Sequence, residues 1–256
     1  MADQHATNRS VTARALAVLE TFDMKHRRQS LAAIARRSNL PLTTVHRLVH
    51  ELEKNDALAR GSDGDYEIGS KMWRIGLLAS VHADLREVAL PYMEDVYELS
   101  NDAVQIAVVD GLRCLVVERI AGSRTMSVMS KPGSRLPLHA TGVGKVLMAF
   151  GPPELQDAVL NSLDRYTDTT ITDATKLRSQ LLTIKAHGFA KTNEELAAGA
   201  TSIAVPLWGK GGKGGKVIAA LGIVAPSDDV RDISRMLPVL QVTASALSKK
   251  LAESGY

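Results

Sequence analysis

SLAAIARRSNLPLTTVHRLVHELEK, residues 30–54, carries two helical periods separated by a break. Ser30 is a candidate N-cap; behind it Leu31, Ile34 and Ala35 give a short helix one apolar face and leave Arg36 and Arg37 exposed. Asn39 and Pro41 end that period. Pro41 disfavours helix at the residue before it yet suits the first turn of a new one, so a second helix starts at about Leu42. At about 100° per residue, Leu42, Val45, Leu48, Val49 and Leu52 gather on one side, and Thr43, His46, Arg47, His50 and Lys54 on the other. From Lys25 to His50 every charged side chain other than histidine is positive, namely Lys25, Arg27, Arg28, Arg36, Arg37 and Arg47. One-sign local charge suits phosphate contact. Charge alone fits a solvated basic face better, so the flanking sequence has to decide.

Upstream, residues 1–8 read as disordered, and Ser10 or Thr12 can cap a helix whose Ala15, Leu16, Leu19 and Phe22 form a buried stripe. Arg9 and Arg14 flank its start, either touching the DNA backbone or simply solvated. Downstream, residues 57–60 and 66–68 are short strand candidates around GSDGD, whose Asp63-Gly64 supplies positive-φ turn geometry. Three helices followed by a two-stranded ribbon is the order of a winged helix-turn-helix. Residues 10–77, above all RALAVLETF, SLAAIARRSNLPLTTVHRLVHELEKNDAL and YEIGSKMWRIGLLA, resemble the N-terminal domain of the isocitrate lyase regulator (IclR) family of bacterial transcription factors.

At 256 residues the chain is long enough for one large or two modest domains, and two is the reading taken here. A net charge of +3 and a pI near 9.0 are too slight to identify a nucleic-acid partner. A single cysteine, Cys114, precludes an intrachain disulfide or a cysteine-rich zinc site and fits a reducing cytoplasm. No apolar run approaches membrane-spanning length, and MADQHATNRS lacks a signal core. The expectation is a soluble cytoplasmic, DNA-associated protein of bacterial type with no membrane partner.

Residues 70–79 read as a helix bearing Met72, Trp73, Ile75 and Leu77, too apolar for a free linker. It packs either within its own chain or, as the resemblance implies, across a dimer. Leu85, Val88, Ala89, Tyr92, Val96 and Leu99 keep helical spacing, with Pro91 bending the segment. Residues 103–109 and 114–120 are β-prone around Asp110-Gly111, and residues 125–129 are a further strand candidate. Helices follow from near Thr141 and over residues 174–187, the second ended by Gly188. Strands at 203–208 and 216–224 flank GKGGKGG, and Val230, Ile233, Leu237, Leu240, Ala244, Leu247 and Leu251 trace a closing helix bent at Pro238. Strands with flanking helices argue for an α+β sensor-like domain. GSRLPLHATGVGKVLMA and GFAKTNEELAAGATSIAVPL resemble segments of the same family, which implies a GAF-like effector-binding domain. The expected organisation is a two-domain α+β protein: residues 1–69 the winged helix-turn-helix, 70–82 the linker helix and 83–256 the effector domain.

Gly142-Val143-Gly144-Lys145 invites a phosphate-loop reading, but His139 stands where the first glycine belongs and Val146 replaces the magnesium-holding hydroxyl. What remains is a helix N-terminus that either cradles a small carboxylate or lets the loop pack closely. The lysines of GKGGKGGK lack fixed geometry and read as a hairpin loop. His46 and His50 have no third ligand nearby, so no metal is expected. Glu194 and Glu195 are adjacent rather than opposed, and no catalytic constellation or cofactor motif is legible.

The resemblance carries an effector site onto Val128, Leu136, Gly142, Val143, Thr192, Ala200 and Ser202. It implies a small planar or branched organic acid, its body on Val128, Leu136 and Val143 and its carboxylate on donors near Gly142 and on Ser202. Thr192 stands where some members carry an acid and Ser202 where others have cysteine, which leaves the ligand open. The reading is a ligand-responsive transcriptional repressor of a metabolic operon, not an enzyme, binding double-stranded operator DNA as a homodimer or homotetramer. Thr43, Thr44, His46 and Arg47 face the major groove; Arg36, Arg9 and Arg14 contact phosphate. The alternatives are a small-molecule enzyme with an appended nucleic-acid-binding domain and a structural nucleic-acid binder without a sensor.

Overall fold

The computed structural model describes residues 10–23, 26–76, 78, 82–122, 130–228 and 232–255. The expectations for residues 1–8, Arg9, Leu77, 125–129, Val128 and Val230 lie outside these residues. Two compact units divide between residues 81 and 82.

In the first unit, α1 (Val11–Leu19) is capped by Ser10, whose Oγ accepts the Ala13 N–H at 3.1 Å. After β1 (Arg28–Gln29), α2 (Leu31–Ser38) is capped in the same way by Ser30 and ends on Asn39 at φ 53°. Asparagine tolerates that left-handed turn better than most residues. α3 (Leu42–Lys54) starts directly after Pro41. Val18, Ile34, Val45, Leu48, Val49, Leu58 and Tyr66 close the core between them. The wing is β2 (Leu58–Arg60) against β3 (Tyr66–Ile68), with Leu58 opposite Ile68 and Gly64 at φ 87° in the connecting loop. β1 adds an unexpected third strand on the far side of β3, and Arg28 reaches the loop at Asp63, 2.6 Å away. Two residues are too few to show a strand period in sequence. α4 (Ser70–Gly76) ends the unit.

Two expected core positions are corrected. Leu16 is 53% exposed, because the inward face of α1 runs through Ala15, Val18 and Leu19, continued by Phe22 beyond its end, and Leu16 lies to one side of it. Leu42, also 53% exposed, sits in the opening turn of α3, ahead of the point where the helix meets α1 and α2.

The second unit runs α5 (Ala83–Ser100), β4 (Ala103–Asp110), β5 (Arg113–Ile120), β6 (Arg135–Pro137), α6 (Gly142–Ala149), α7 (Pro153–Leu160), α8 (Ala174–His187), β7 (Ala190–Asn193), β8 (Ala200–Trp208), β9 (Val217–Pro226) and α9 (Leu237–Glu253). Its strands form one antiparallel sheet in the order β6-β5-β4-β9-β8-β7. Strand alternation sorts the two faces. Ile106, Ile203, Leu221 and Ile223 point to α5 and α9, while Ala107, Val116, Ala204 and Ala220 point to α6 and α8. Those small residues let α6 settle close to the sheet, and all eight of its residues are buried. A register shift between Ile106 and Ala107 leaves Gln105 opposite Arg119 and Ile106 opposite Glu118.

On α5 the buried stripe takes in Met93, while Leu99 is 65% exposed. In α9 Pro238 falls in the first turn, where its missing N–H costs nothing, so the bend expected there has no cause. β7 was not expected: AKTN is short and half polar.

Candidate functional site

α3 turns Val45, Leu48 and Val49 into the core, and this alone orients the opposite side of the helix. Thr43, His46 and Arg47 are exposed and Thr44 is half-buried. On α2, Arg36 is exposed without a partner among the described residues, whereas Arg37 is tied down. Its Nε donates to the Thr21 carbonyl at 3.1 Å and its Nη2 to Asp23 at 2.7 Å, so Arg37 braces α2 against the end of α1. Arg14 is half-buried, with its Nε shut off from solvent and from any hydrogen-bond partner. The wing contributes a cation that the sequence reading did not single out: Arg60 lies over the Tyr66 ring, 5.5 Å from its centroid. Its place at the end of a predicted wing strand was the available signal.

In the second unit, Thr141 caps α6 by accepting the Gly144 N–H at 3.1 Å. The Gly142 N–H donates to Ser202 Oγ at 3.2 Å, and that oxygen lies 2.6 Å from Thr192 Oγ1. A Cβ on Gly142 would stand 2.7 Å from Ser202 Oγ, so the close approach requires glycine. Leu136, Thr192, Ala200 and Ser202 line one cavity beside this cluster, in company with Gln105, Ser130 and Val224. Its volume of about 30 Å³ is room for about one water molecule. Neither Gly142 nor Val143 is in the lining: Gly142 is packed against Ser202, and Val143 is fully buried in the core between α6 and the sheet. The donors expected to meet a carboxylate, at Gly142 and Ser202, are already bonded to protein atoms.

Residues 194–199 close the cavity with Leu196 and Ala197 and are held from several directions. Glu195 accepts from Lys145 Nζ at 2.6 Å, and Gln180 accepts from the same ammonium at 2.7 Å. Thr170 Oγ1 donates to the Glu195 carbonyl at 2.6 Å, and Ser227 Oγ to the Glu194 carboxylate at 2.5 Å. Burial pulls the Lys145 ammonium below its ordinary range, and the facing Glu195 opposes that. His139 is likewise lowered by burial, with Nε2 3.0 Å from the Asp164 carbonyl. The Cys114 thiol is pushed up to about 11 by burial, which marks it as packing rather than a nucleophile.

Two polar atoms of the cavity lining, Gln105 Oε1 and Ser130 Oγ, are buried without a hydrogen-bond partner. A polar residue in the otherwise apolar run AVQIAVV, residues 103–109, was the sequence signal for Gln105. A larger groove, about 940 Å³, opens between Trp208, the end of α8 and α9, but no unsatisfied buried polar atom lines it among the described residues. No group of three or more His, Cys, Asp or Glu gathers among the described residues. Nor is any helix there long and apolar enough to cross a membrane.

A winged helix-turn-helix joined to an α+β domain is the class of transcriptional regulator that these two units define. Residues 11–61 match the model of the IclR helix-turn-helix domain, and residues 78–249 that of the bacterial transcriptional regulator IclR C-terminal domain. The HTH-type transcriptional regulator XynR of Escherichia coli K12 is 30% identical over 247 residues, covering 93% of this chain and 95% of that protein. The HTH-type transcriptional repressor AllR of Klebsiella pneumoniae is 30% identical over 244 residues, covering 94% and 86%. A crystal structure of an IclR homolog from Microbacterium hydrocarbonoxydans, complexed with 4-hydroxybenzoate, superposes with a TM-score of 0.81 at 34% identity, covering 94% of this chain and 99% of that one. The chain belongs to the IclR family.

Proposed function

We propose that this chain is a transcriptional repressor whose hold on operator DNA is governed by a small organic acid bound in the second unit. The observation that carries the reading is a small cavity lined by unsatisfied buried polar atoms in the same chain as a helix exposing Thr43, His46 and Arg47. An unpaired buried polar atom costs about 1–3 kcal/mol, a cost that a bound ligand would remove. The relatives are named as regulators and repressors, which favours regulation over catalysis. The Microbacterium homolog's 4-hydroxybenzoate sets the scale and chemistry of the effector. A cavity sized for water must widen to take it, and residues 194–199 are the segment we expect to move.

We assign residues 1–69 to DNA binding, 70–82 to a linker and 83–256 to the effector domain. Thr43, Thr44, His46 and Arg47 read bases, with Arg36, Arg9 and Arg14 on phosphates. Trp73, Ile75 and Leu78 are 67%, 52% and 83% exposed, an apolar strip that favours a homodimer on a two-fold operator. The test is fluorescence anisotropy on DNA fragments flanking the gene, with and without 4-hydroxybenzoate and related acids. One fragment should bind tightly and be released by an acid. Equal affinity for every fragment, indifferent to acids, defeats the proposal.

A further inference from the structure

Arg119 shares the α6-facing side of the sheet with Gln105. The register sets the two directly opposite on β5 and β4, next to Gly222 on β9, the position facing Gln105 from the other side. Residues paired in this way hold their Cβ atoms about 4.5–5.5 Å apart. The Arg119 Nε and Nη2 atoms are both buried with no hydrogen-bond partner, as are Gln105 Oε1 and Ser130 Oγ.

An arginine whose Nε and Nη2 are shut off from solvent ordinarily has a carboxylate beside them. Here Glu118 beside it on β5, and Glu194 and Glu195 in the segment that closes the cavity, are engaged elsewhere. Glu118, its neighbour on β5, points to the opposite face and is bonded to Arg86. Glu195 holds Lys145, and Glu194 accepts from Ser227. Burial with no compensating charge pulls the guanidinium below its ordinary value. Arg119 stands behind Gln105, which with Ser130 lines the cavity; on the side of Ser202 and Thr192 the case is reversed, since these two and the Gly142 N–H satisfy one another.

Resting on the reading of a small-acid effector given above, we infer that the effector's carboxylate is anchored by Arg119 and Gln105 on the sheet together with Ser130 from the segment before β6, and not by the N-terminus of α6. The guanidinium offers two parallel N–H donors, the fork that matches a carboxylate. Ser130 offers a hydroxyl, and a half-turn of the Gln105 amide presents its NH2 group in place of Oε1. The ligand's body then lies toward Leu136 and Val224, with its far end at Ser202. Arg119 is thereby the residue that distinguishes acids from their neutral counterparts.

Titration calorimetry on the full chain tests this with 4-hydroxybenzoate and a set of aliphatic and aromatic monocarboxylates, each beside its primary amide. Wild type should prefer an acid over its amide, and Arg119→Met should lose roughly 10- to 100-fold in acid affinity and erase the preference. Gln105→Glu guards against a merely structural effect. It hands Arg119 a permanent carboxylate, so thermal stability should rise while acid binding disappears. If acids bind and Arg119→Met keeps the preference, the anchor is elsewhere and the effector reading stands. If Gln105→Glu lowers stability and binds acids as wild type does, the inference is likewise overturned. If no acid binds wild type, both fall together.

Discussion

Lys145 Nζ lies 2.6 Å from both carboxylate oxygens of Glu195, and Lys145 has no exposed surface at all. The pair ties α6 to the segment that closes the cavity. Lys145→Met leaves a buried carboxylate without its counter-charge, a change that costs about 3–5 kcal/mol. Lys145→Met with Glu195→Leu should recover most of that, because an apolar pair of similar size replaces a dehydrated ion pair with little net loss. The measurement is urea unfolding followed by Trp208 fluorescence in a Trp73→Phe background, which confines the signal to the second unit. A double variant no more stable than the single one contradicts the expectation.

Arg36, Arg37 and Arg47 are three arginines within twelve residues that should fail in three different ways. Arg47→Ala should weaken operator binding by about 1–3 kcal/mol and random DNA far less, the mark of base reading. Arg36→Ala should weaken both alike and reduce the salt slope by about one ion. Arg37→Ala should lower the melting temperature first, since its guanidinium holds Thr21 and Asp23. Parallel losses for Arg47→Ala on both DNAs would remove the base-reading role.

His139 sets a pH dependence whose sign follows from its burial. In the folded chain its pKa is depressed, so the ring stays neutral while an unfolded histidine, near 6.5, takes up a proton. The unfolded state therefore binds more protons, and stability must fall as pH drops through about 6.5 toward the folded value. His139→Gln keeps a donor toward the Asp164 carbonyl and should flatten that slope. Urea midpoints at pH 7.5 and 5.5 give the comparison; identical slopes in the two proteins would assign the effect to another group.

The winged helix-turn-helix was legible because its signals are local. Ser10, Ser30, Asn39, Pro41 and Gly64 each do at one position what general backbone chemistry requires. Errors came from choices that only packing resolves. Leu16 and Val18 are two positions apart on one helix, and periodicity tolerates either as the buried member until α2 and α3 are in place. Arg37 carries the same charge as Arg36, and only the position of Asp23 separates brace from ligand contact. In the second unit the motif-derived residues Leu136, Thr192, Ala200 and Ser202 do converge on one cavity. The pairing of Gln105 with Arg119 was not legible, because it depends on a register shift that no single strand encodes.

α6 is buried along its whole length, and Gly142 and Gly144 leave no room for even a methyl group. A substitution anywhere on this helix disturbs its packing against the sheet, and one at Ser202 strips the Gly142 N–H of its acceptor, whereas a change at Gln105 or Ala200 alters the cavity lining from the strands without cutting a hydrogen bond to the helix. Descendants of this protein that acquire new effectors should therefore vary at the strand positions and keep the helix, so that the history of its ligands is written on the sheet.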